Sequence, residues 1–209
     1  IAKRLANYTL MALSTAVCVP ISHILIRNHL GNTLSWEAAG YWEAMWRLSG
    51  AYLMLITTTL SVYYLPRLSE IKGASELKEE ILQGYRVILP CAIVAAFLIY
   101  ICRDLLIQLL FSEQFYPVRV LFLGQVIGDI LKIGSWILAF VMLGKAMTRY
   151  FIATEVIFSA SFYCLVVLMT NAWGLQGVAW AYALNYLFYW VCMYCLIFKK
   201  ISREFIVCQ

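Results

Sequence analysis

Two oppositely charged side chains lie three residues apart inside one of the most apolar stretches of the chain. Asp129 and Lys132 occur within residues 120–144, where most other positions are Leu, Ile, Val, Phe or Gly. An ionised side chain near the centre of a bilayer costs roughly 2.5–3.5 kcal/mol on insertion scales. Charges retained at that cost usually face a polar cavity or a partner helix. The pair therefore indicates a transport pathway rather than a passive anchor.

A polar and aromatic stripe extends this pair along one helix face. A spacing of four, three and four residues relates Gln125, Asp129, Lys132 and Trp136, which places them on the same side of a helix. We interpret the stripe as the lining of a cavity. The alternative is an Asp–Lys pair that serves only packing, either by mutual neutralisation or by pairing with another helix. A salt bridge alone does not need the neighbouring Gln and Trp, which favours the cavity.

Three further charged residues are candidates for the same site. Glu43 and Arg47 are spaced i,i+4 in the order that favours a helical ion pair, and a tryptophan precedes each of them. A guanidinium beside indole rings suits phosphate and sugar rings; an interfacial salt bridge is the equal alternative. Glu155 lies in a later apolar stretch near two serines. It either lines the same cavity, pairs with Lys132 or has a structural role.

Motifs for catalysis are missing from the sequence. It contains no G-x-x-x-x-G-K-[ST], no G-x-S-x-G and no H-E-x-x-H. The two histidines are not at metal-ligand spacing, and Cys192 and Cys195 form a C-x-x-C in an apolar run without a second pair. We therefore expect no catalytic residue, no metal and no cofactor, and a transporter rather than an enzyme.

The composition requires lipid as the solvent for this chain. It is 64% hydrophobic and 13% charged, whereas soluble domains have about 45–50% apolar and about 25% charged residues. The apolar excess recurs along the whole length, so a soluble fold could not bury it. The net charge of +5 comes from basic residues between apolar runs, a pattern that does not suggest a nucleic-acid partner.

Six apolar stretches are long enough to cross a membrane, which predicts an all-α polytopic fold. A span needs about 20 mostly apolar residues, and the uncharged run 156–198 is long enough for two, separated by a glycine-containing turn. The predicted spans are about 5–26, 41–65, 85–110, 120–144, 147–170 and 178–198. Residues 66–84 carry a helical apolar pattern that predicts either a short surface helix or a solvated linker.

The distribution of Lys and Arg predicts the orientation. Most basic residues precede the first span, follow the sixth, or lie between the second and third and between the fourth and fifth. Cytoplasmic segments carry this excess of positive charge. We therefore expect both ends of the segment on the cytoplasmic side. The external loops are short, which leaves no room for an extracytoplasmic catalytic domain.

An ordered set of segments resembles one transporter family. The segments are residues 9–13, 35–42, 61–69, 126–134, 146–151 and 154–156. Together they resemble the C-terminal half of Wzx-type flippases, which translocate O-antigen and enterobacterial common antigen repeat units. These belong to the multidrug/oligosaccharidyl-lipid/polysaccharide exporter superfamily. The resemblance covers essentially all 209 residues, whereas family members are about twice as long.

The resemblance implies a fold, a substrate and partners. Residues 1–209 would be the C-terminal transmembrane lobe of a two-lobe exporter, with the N-terminal lobe missing. The implied substrate is undecaprenyl-diphosphate-linked oligosaccharide, moved across the bacterial inner membrane in lipopolysaccharide or surface-polysaccharide biosynthesis. Membrane lipids, a polysaccharide polymerase and a chain-length regulator are the other implied partners. The family's charged cavity residues map onto Asp129 and Lys132, and less directly onto Arg47.

Two alternative functions remain open at this point. A cation-coupled multidrug antiporter of the same superfamily predicts a cavity in which acidic residues dominate; the mixed charges here favour an anionic substrate. A membrane-embedded polysaccharide polymerase or transferase predicts a large external loop or a membrane-facing active site, and the short loops count against it.

Overall fold

Helices form every regular element in the described part of the chain. The computed structural model describes the backbone of residues 2–111 and 113–206, and the side chains of residues 6–111 and 114–199. The elements are α1 (Ala2–Thr33), α2 (Trp36–Thr59), a π-helical turn (Leu60–Tyr64), α3 (Leu65–Glu70), α4 (Ala74–Ile101), α5 (Arg103–Leu110), a 3₁₀ segment (Glu113–Leu121), α6 (Phe122–Gly144), α7 (Thr148–Trp173) and α8 (Gln176–Ile206).

Six helical segments are long and apolar enough to cross a membrane. They are Ala6–Thr33, Trp36–Glu70, Ala74–Ile101, Gln114–Gly144, Thr148–Trp173 and Gln176–Lys199. A few residues join most successive segments, but α5 lies between the third and the fourth. The predicted fold class, an all-α polytopic membrane protein with about six spans, is confirmed.

The third membrane-length helix begins well before the predicted span. α4 runs without interruption from Ala74, so the helix predicted within residues 66–84 is present from Ala74 on as the beginning of α4, and the alternative of a solvated linker does not apply to this part. Leu77 and Ile81 in its first turns are buried against the bundle. Because that face packs on other helices, the segment continues the span instead of lying apart from it.

The same predicted span is interrupted near its end. α4 ends at Ile101, and Cys102 has backbone angles of φ −81° and ψ 4° that do not continue the α-helix. The Arg103 guanidinium donates a hydrogen bond of 2.8 Å to the carbonyl oxygen of Tyr100, which occupies an acceptor at this break. The residues beyond it form the separate helix α5.

The central helix of the bundle is α6. It packs along α8 over most of its length and also contacts α4 and α2. A Cβ added at Gly124 would lie 2.8 Å from the Cβ of Ala179, and one added at Gly134 would lie 2.8 Å from the ring of Trp190. Glycine at these positions lets the two backbones approach closely. This approach brings side chains of α8 beside the charged pair of α6.

Alanine at Gly128 is expected to destabilise this packing by about 1–3 kcal/mol, the usual cost of overpacking. The added Cβ would lie 2.2 Å from the ring of Tyr182, so the ring would have to move. The measurement is thermal unfolding of the purified protein in detergent. Gly50→Ala is the matched control, because no atom lies within 4 Å of its added Cβ. Equal unfolding midpoints for the two variants would contradict the close α6–α8 contact.

Candidate functional site: a cavity with a caged lysine

A cavity of about 840 Å³ opens between α1, α6, α7 and α8, with one side chain from α2. Its wall is mostly apolar and aromatic. The polar residues that line it include Thr15, Ser22, His23, Lys132, Glu155 and Asn185. A largely apolar cavity with a few polar groups is the usual form of a ligand site.

Lys132 extends from α6 into this cavity, where aromatic rings surround its ammonium group. The Nζ atom lies 4.9 Å from the ring centre of Trp136, 5.3 Å from Trp46, 5.7 Å from Tyr186 and 5.9 Å from Tyr182. All four distances are within the range of cation–π attraction. We call these four rings the aromatic cage. They stabilise the cation without neutralising its charge.

Among the described side chains, no carboxylate forms an ion pair with this cation. The salt bridges among residues 6–111 and 114–199 do not include Lys132, so no carboxylate oxygen of that part lies within 4 Å of its Nζ. Glu155 lines the same cavity from α7 and is half-buried, yet it is not within that distance. The predicted Asp–Lys and Glu–Lys contacts are therefore not direct ion pairs, and Lys132 remains available to an anionic ligand.

Asp129 lies behind the cavity wall instead of lining it. Its carboxylate is buried and accepts hydrogen bonds from the hydroxyl groups of Ser49 (2.7 Å), Tyr182 (2.8 Å) and Tyr52. The amide of Gln125 is a fourth donor, at 3.4 Å. These donors satisfy the charge locally. We call this group the carboxylate knot, because it joins α2, α6 and α8 at one point.

Tyr182 connects the two arrangements. Its hydroxyl group donates to Asp129, while its ring faces the ammonium of Lys132. The ring also packs edge-on against two other rings, with ring centres 5.5 Å apart for Trp46 and 4.9 Å apart for Tyr186. The knot therefore holds one wall of the aromatic cage in place, and a change at Asp129 would reach Lys132 through this ring.

The cavity residues of α8 were not among the site residues predicted from the sequence. Tyr182, Asn185, Tyr186 and Tyr189 all line the cavity, at the i, i+3, i+4, i+7 spacing of one helix face. That spacing was visible in the sequence, but aromatic side chains at helical spacing are usually core residues. In the sequence, Trp46 is distinguished only as a neighbour of Arg47.

The other predicted site residues are dispersed. Trp136 and Glu155 line the cavity with Lys132, and Gln125 is buried beside Asp129. Arg47 has a side chain that is 78% exposed and forms an ion pair of 2.9 Å with Glu43. It lines neither the cavity nor the smaller pocket described next, so the structure separates it from Lys132.

A second pocket, of about 400 Å³, adjoins the cavity between α1 and α2. Val19, His23 and Trp46 line both spaces, so these three residues form the partition between them. The charged residues of the smaller pocket are Arg27 and Glu43. Within the described residues, no group of three His, Cys, Asp or Glu side chains is placed to hold a metal ion.

Comparison with known proteins identifies the relatives of this chain. No family model matches it, and no solved structure matches it. It is similar to the lipid III flippases of Escherichia coli (strain K12) and Shigella flexneri, with 35% identity to each over 192 residues. Its sequence resembles that of the lipid III flippases along most of its length.

This homology has a defined extent. The alignment covers 90% of this chain but 45% of each lipid III flippase, so the chain spans about half the length of the curated relatives it matches. That share agrees with the prediction that it corresponds to one half of such a transporter. The resemblance to Wzx-type flippases is confirmed. The similarity to flippases and the six apolar helices together show that the chain belongs to a multi-pass membrane protein.

Proposed function

We propose that the chain is the C-terminal lobe of a flippase that moves a lipid-linked oligosaccharide across the bacterial inner membrane. The substrate would be an undecaprenyl-diphosphate-linked repeat unit of O-antigen or a related surface polysaccharide. The proposed activity is transport, in which the substrate is not chemically changed. It rests on homology to the lipid III flippases and on one structural observation.

That observation is the cation of Lys132 in a cavity of about 840 Å³. The ammonium has aromatic rings around it and no carboxylate of the described residues within 4 Å. A diphosphate entering the cavity would find an unpaired cation in a largely apolar space, where Coulomb attraction is stronger than in water. The aromatic surfaces offer stacking faces to sugar rings.

The transport problem is a polar headgroup joined to a long apolar tail. We infer that the headgroup crosses through the cavity while the tail stays in the lipid, because only the headgroup loses hydration there. A second lobe would complete the pathway, and rocking of the two lobes would give alternating access. In this arrangement both ends of the segment lie in the cytoplasm, as the positive charges suggest. A polymerase and a chain-length regulator would act on the exported units.

The charge of the cavity favours this substrate over a cationic drug. Glu155 on α7 is the one acidic residue among the described residues that line it, and Lys132 lines it from α6. Asp129, the carboxylate of the stripe on α6, is enclosed by hydroxyl donors. A multidrug antiporter needs acidic groups open to its substrate.

The test is translocation by the complete transporter that contains this chain, reconstituted in liposomes. The ligand would be a fluorescent short-chain polyprenyl diphosphate oligosaccharide, with loss from the outer leaflet as the readout. We expect translocation of this lipid and no pH-driven accumulation of ethidium. Ethidium transport without translocation of the lipid would replace the flippase proposal with the antiporter, and protein-free liposomes are the control for leakage.

A further inference from the structure

One buried polar group in the cavity wall has no partner. Asn185 is 5% exposed, and its Oδ1 atom has no hydrogen-bond donor within the described residues. Buried amide groups are nearly always hydrogen-bonded, because an unpaired one costs free energy. A group that remains unpaired next to a cavity is therefore a candidate for contact with a ligand.

Asn185 lies beside the aromatic cage. It is three residues after Tyr182 and one before Tyr186 on α8, and all three residues line the cavity. The rings of Tyr182 and Tyr186 are both within 6 Å of the Lys132 ammonium. The helical spacing thus puts Asn185 on the same cavity face that presents the cation.

A diphosphate cannot satisfy this oxygen. Ionised phosphate oxygens are acceptors only, so they suit Lys132 but not the carbonyl oxygen of Asn185. A carbonyl oxygen needs an O–H or N–H donor, which an ionised diphosphate does not carry. A sugar attached to the diphosphate carries such groups on its edge, and its apolar face can stack on a tyrosine ring.

A second unpaired group lines the same cavity. The Nε2 atom of His23 on α1 is buried and has no partner among the described residues. Its ring packs at 4.2 Å against Trp46, whose indole faces Lys132. Unpaired polar groups thus occur on two walls of one cavity, as expected where a ligand supplies the missing hydrogen bonds.

We propose that Asn185 is a specificity-determining residue that accepts a hydrogen bond from the sugar next to the diphosphate. This proposal rests on the proposed function and extends it, because it makes the cavity a sugar-phosphate site rather than an anion site alone. Lys132 would bind the phosphate and the tyrosines the sugar face. Asn185 would recognise the sugar by one hydroxyl or amide group.

The test compares two short-chain ligands on the complete transporter in detergent. One is a citronellyl diphosphate monosaccharide, and the other is citronellyl diphosphate without sugar. Asn185→Leu is expected to weaken binding of the first by about 3- to 10-fold, the range of one hydrogen bond, and to leave the second unchanged. Asn171→Leu, at an exposed asparagine near the end of α7, is the matched control and should change neither.

Deoxy-sugar ligands test the proposal on the wild-type protein as well. Removal of one particular hydroxyl group from the sugar should weaken binding to the wild-type protein by the same factor as Asn185→Leu does. With that deoxy-sugar ligand, Asn185→Leu should cause no further loss of affinity, as in a double-mutant cycle. The variant should also unfold at the same temperature as wild type or higher, since it removes an unpaired buried group.

Other results would contradict the proposal in distinct ways. Equal weakening of both ligands by Asn185→Leu would mean that the amide contacts phosphate or only shapes the cavity. If Asn185→Leu weakens the binding of neither ligand, or if no deoxy-sugar ligand binds the wild-type protein more weakly, the sugar does not reach Asn185. If the wild-type transporter binds neither ligand, the proposed function itself fails, and the Asn185 proposal falls with it.

Discussion

Replacement of Lys132 by methionine is expected to reduce translocation of the lipid-linked oligosaccharide by about 10- to 100-fold, the range for losing a hydrogen bond to a charged group. Methionine keeps most of the length of the side chain and packs well against aromatic rings, so the cavity should retain its shape. The substitution removes the cation. No carboxylate of the described residues lies within 4 Å of the Lys132 ammonium, so its loss breaks no ion pair within that part of the protein.

Translocation should be measured with the complete transporter at matched expression, both in liposomes and as surface glycan in cells that lack their own flippase. Lys78→Met removes an exposed lysine of α4 and controls for the loss of one positive charge. Arg47→Gln tests the cation that the structure places outside the cavity, and it should retain near wild-type transport. Full activity of Lys132→Met would exclude the aromatic cage as the anion site.

Removal of the Asp129 carboxylate is expected to cost about 2–5 kcal/mol of stability, since hydrogen bonds inside membrane proteins are worth roughly 0.6–1.7 kcal/mol each and Asp129 accepts several. Asp129→Ala would leave the hydroxyl groups of Ser49, Tyr52 and Tyr182 without this acceptor. It would also release the ring of Tyr182 beside Lys132. We expect a lower unfolding temperature in detergent, poor expression and little transport.

Two variants make this second prediction specific. Asp129→Asn keeps an acceptor oxygen in place and should lose less stability than Asp129→Ala. Asp104→Ala removes the carboxylate of an exposed ion pair with Arg119, and surface pairs are worth about 0–1 kcal/mol, so it should unfold near wild type. If Asp129→Ala unfolded at the wild-type temperature yet did not transport, Asp129 would act on the substrate directly and not through the knot.

The number and type of elements could be predicted because they depend on local properties of the chain. Each membrane-length helix is an apolar run of sufficient length, and run length is read directly from the sequence. The places where prediction and structure differ are those where tertiary packing intervenes. Leu77 and Ile81 lie in α4, and other helices cover them. The break in the helix occurs at Cys102, where the sequence has no proline or glycine to predict it.

The site could be predicted only in part. The intramembrane charges of α6 pointed to one of the helices that line the cavity, because charges are expensive there whatever surrounds them. The residues that surround Lys132 come from α2 and α8 as well as α6. Trp46 and Tyr182 are far from Lys132 in the chain, so no spacing rule connects them. The orphan oxygen of Asn185 likewise becomes visible only when its neighbours are placed.

The sequence by itself determined that this chain is a set of six apolar, membrane-length helices, that one of them carries two charges, and that the chain resembles Wzx-type flippases. Only the tertiary structure decided which charge faces the cavity. Asp129 and Lys132 are three residues apart, which separates them by roughly 60° around a helix with 3.6 residues per turn. That angle is small enough for the sequence pattern to place both residues in one stripe on the helix. It is also large enough for α2 and α8 to enclose the carboxylate with hydroxyl groups while the ammonium extends into the open cavity.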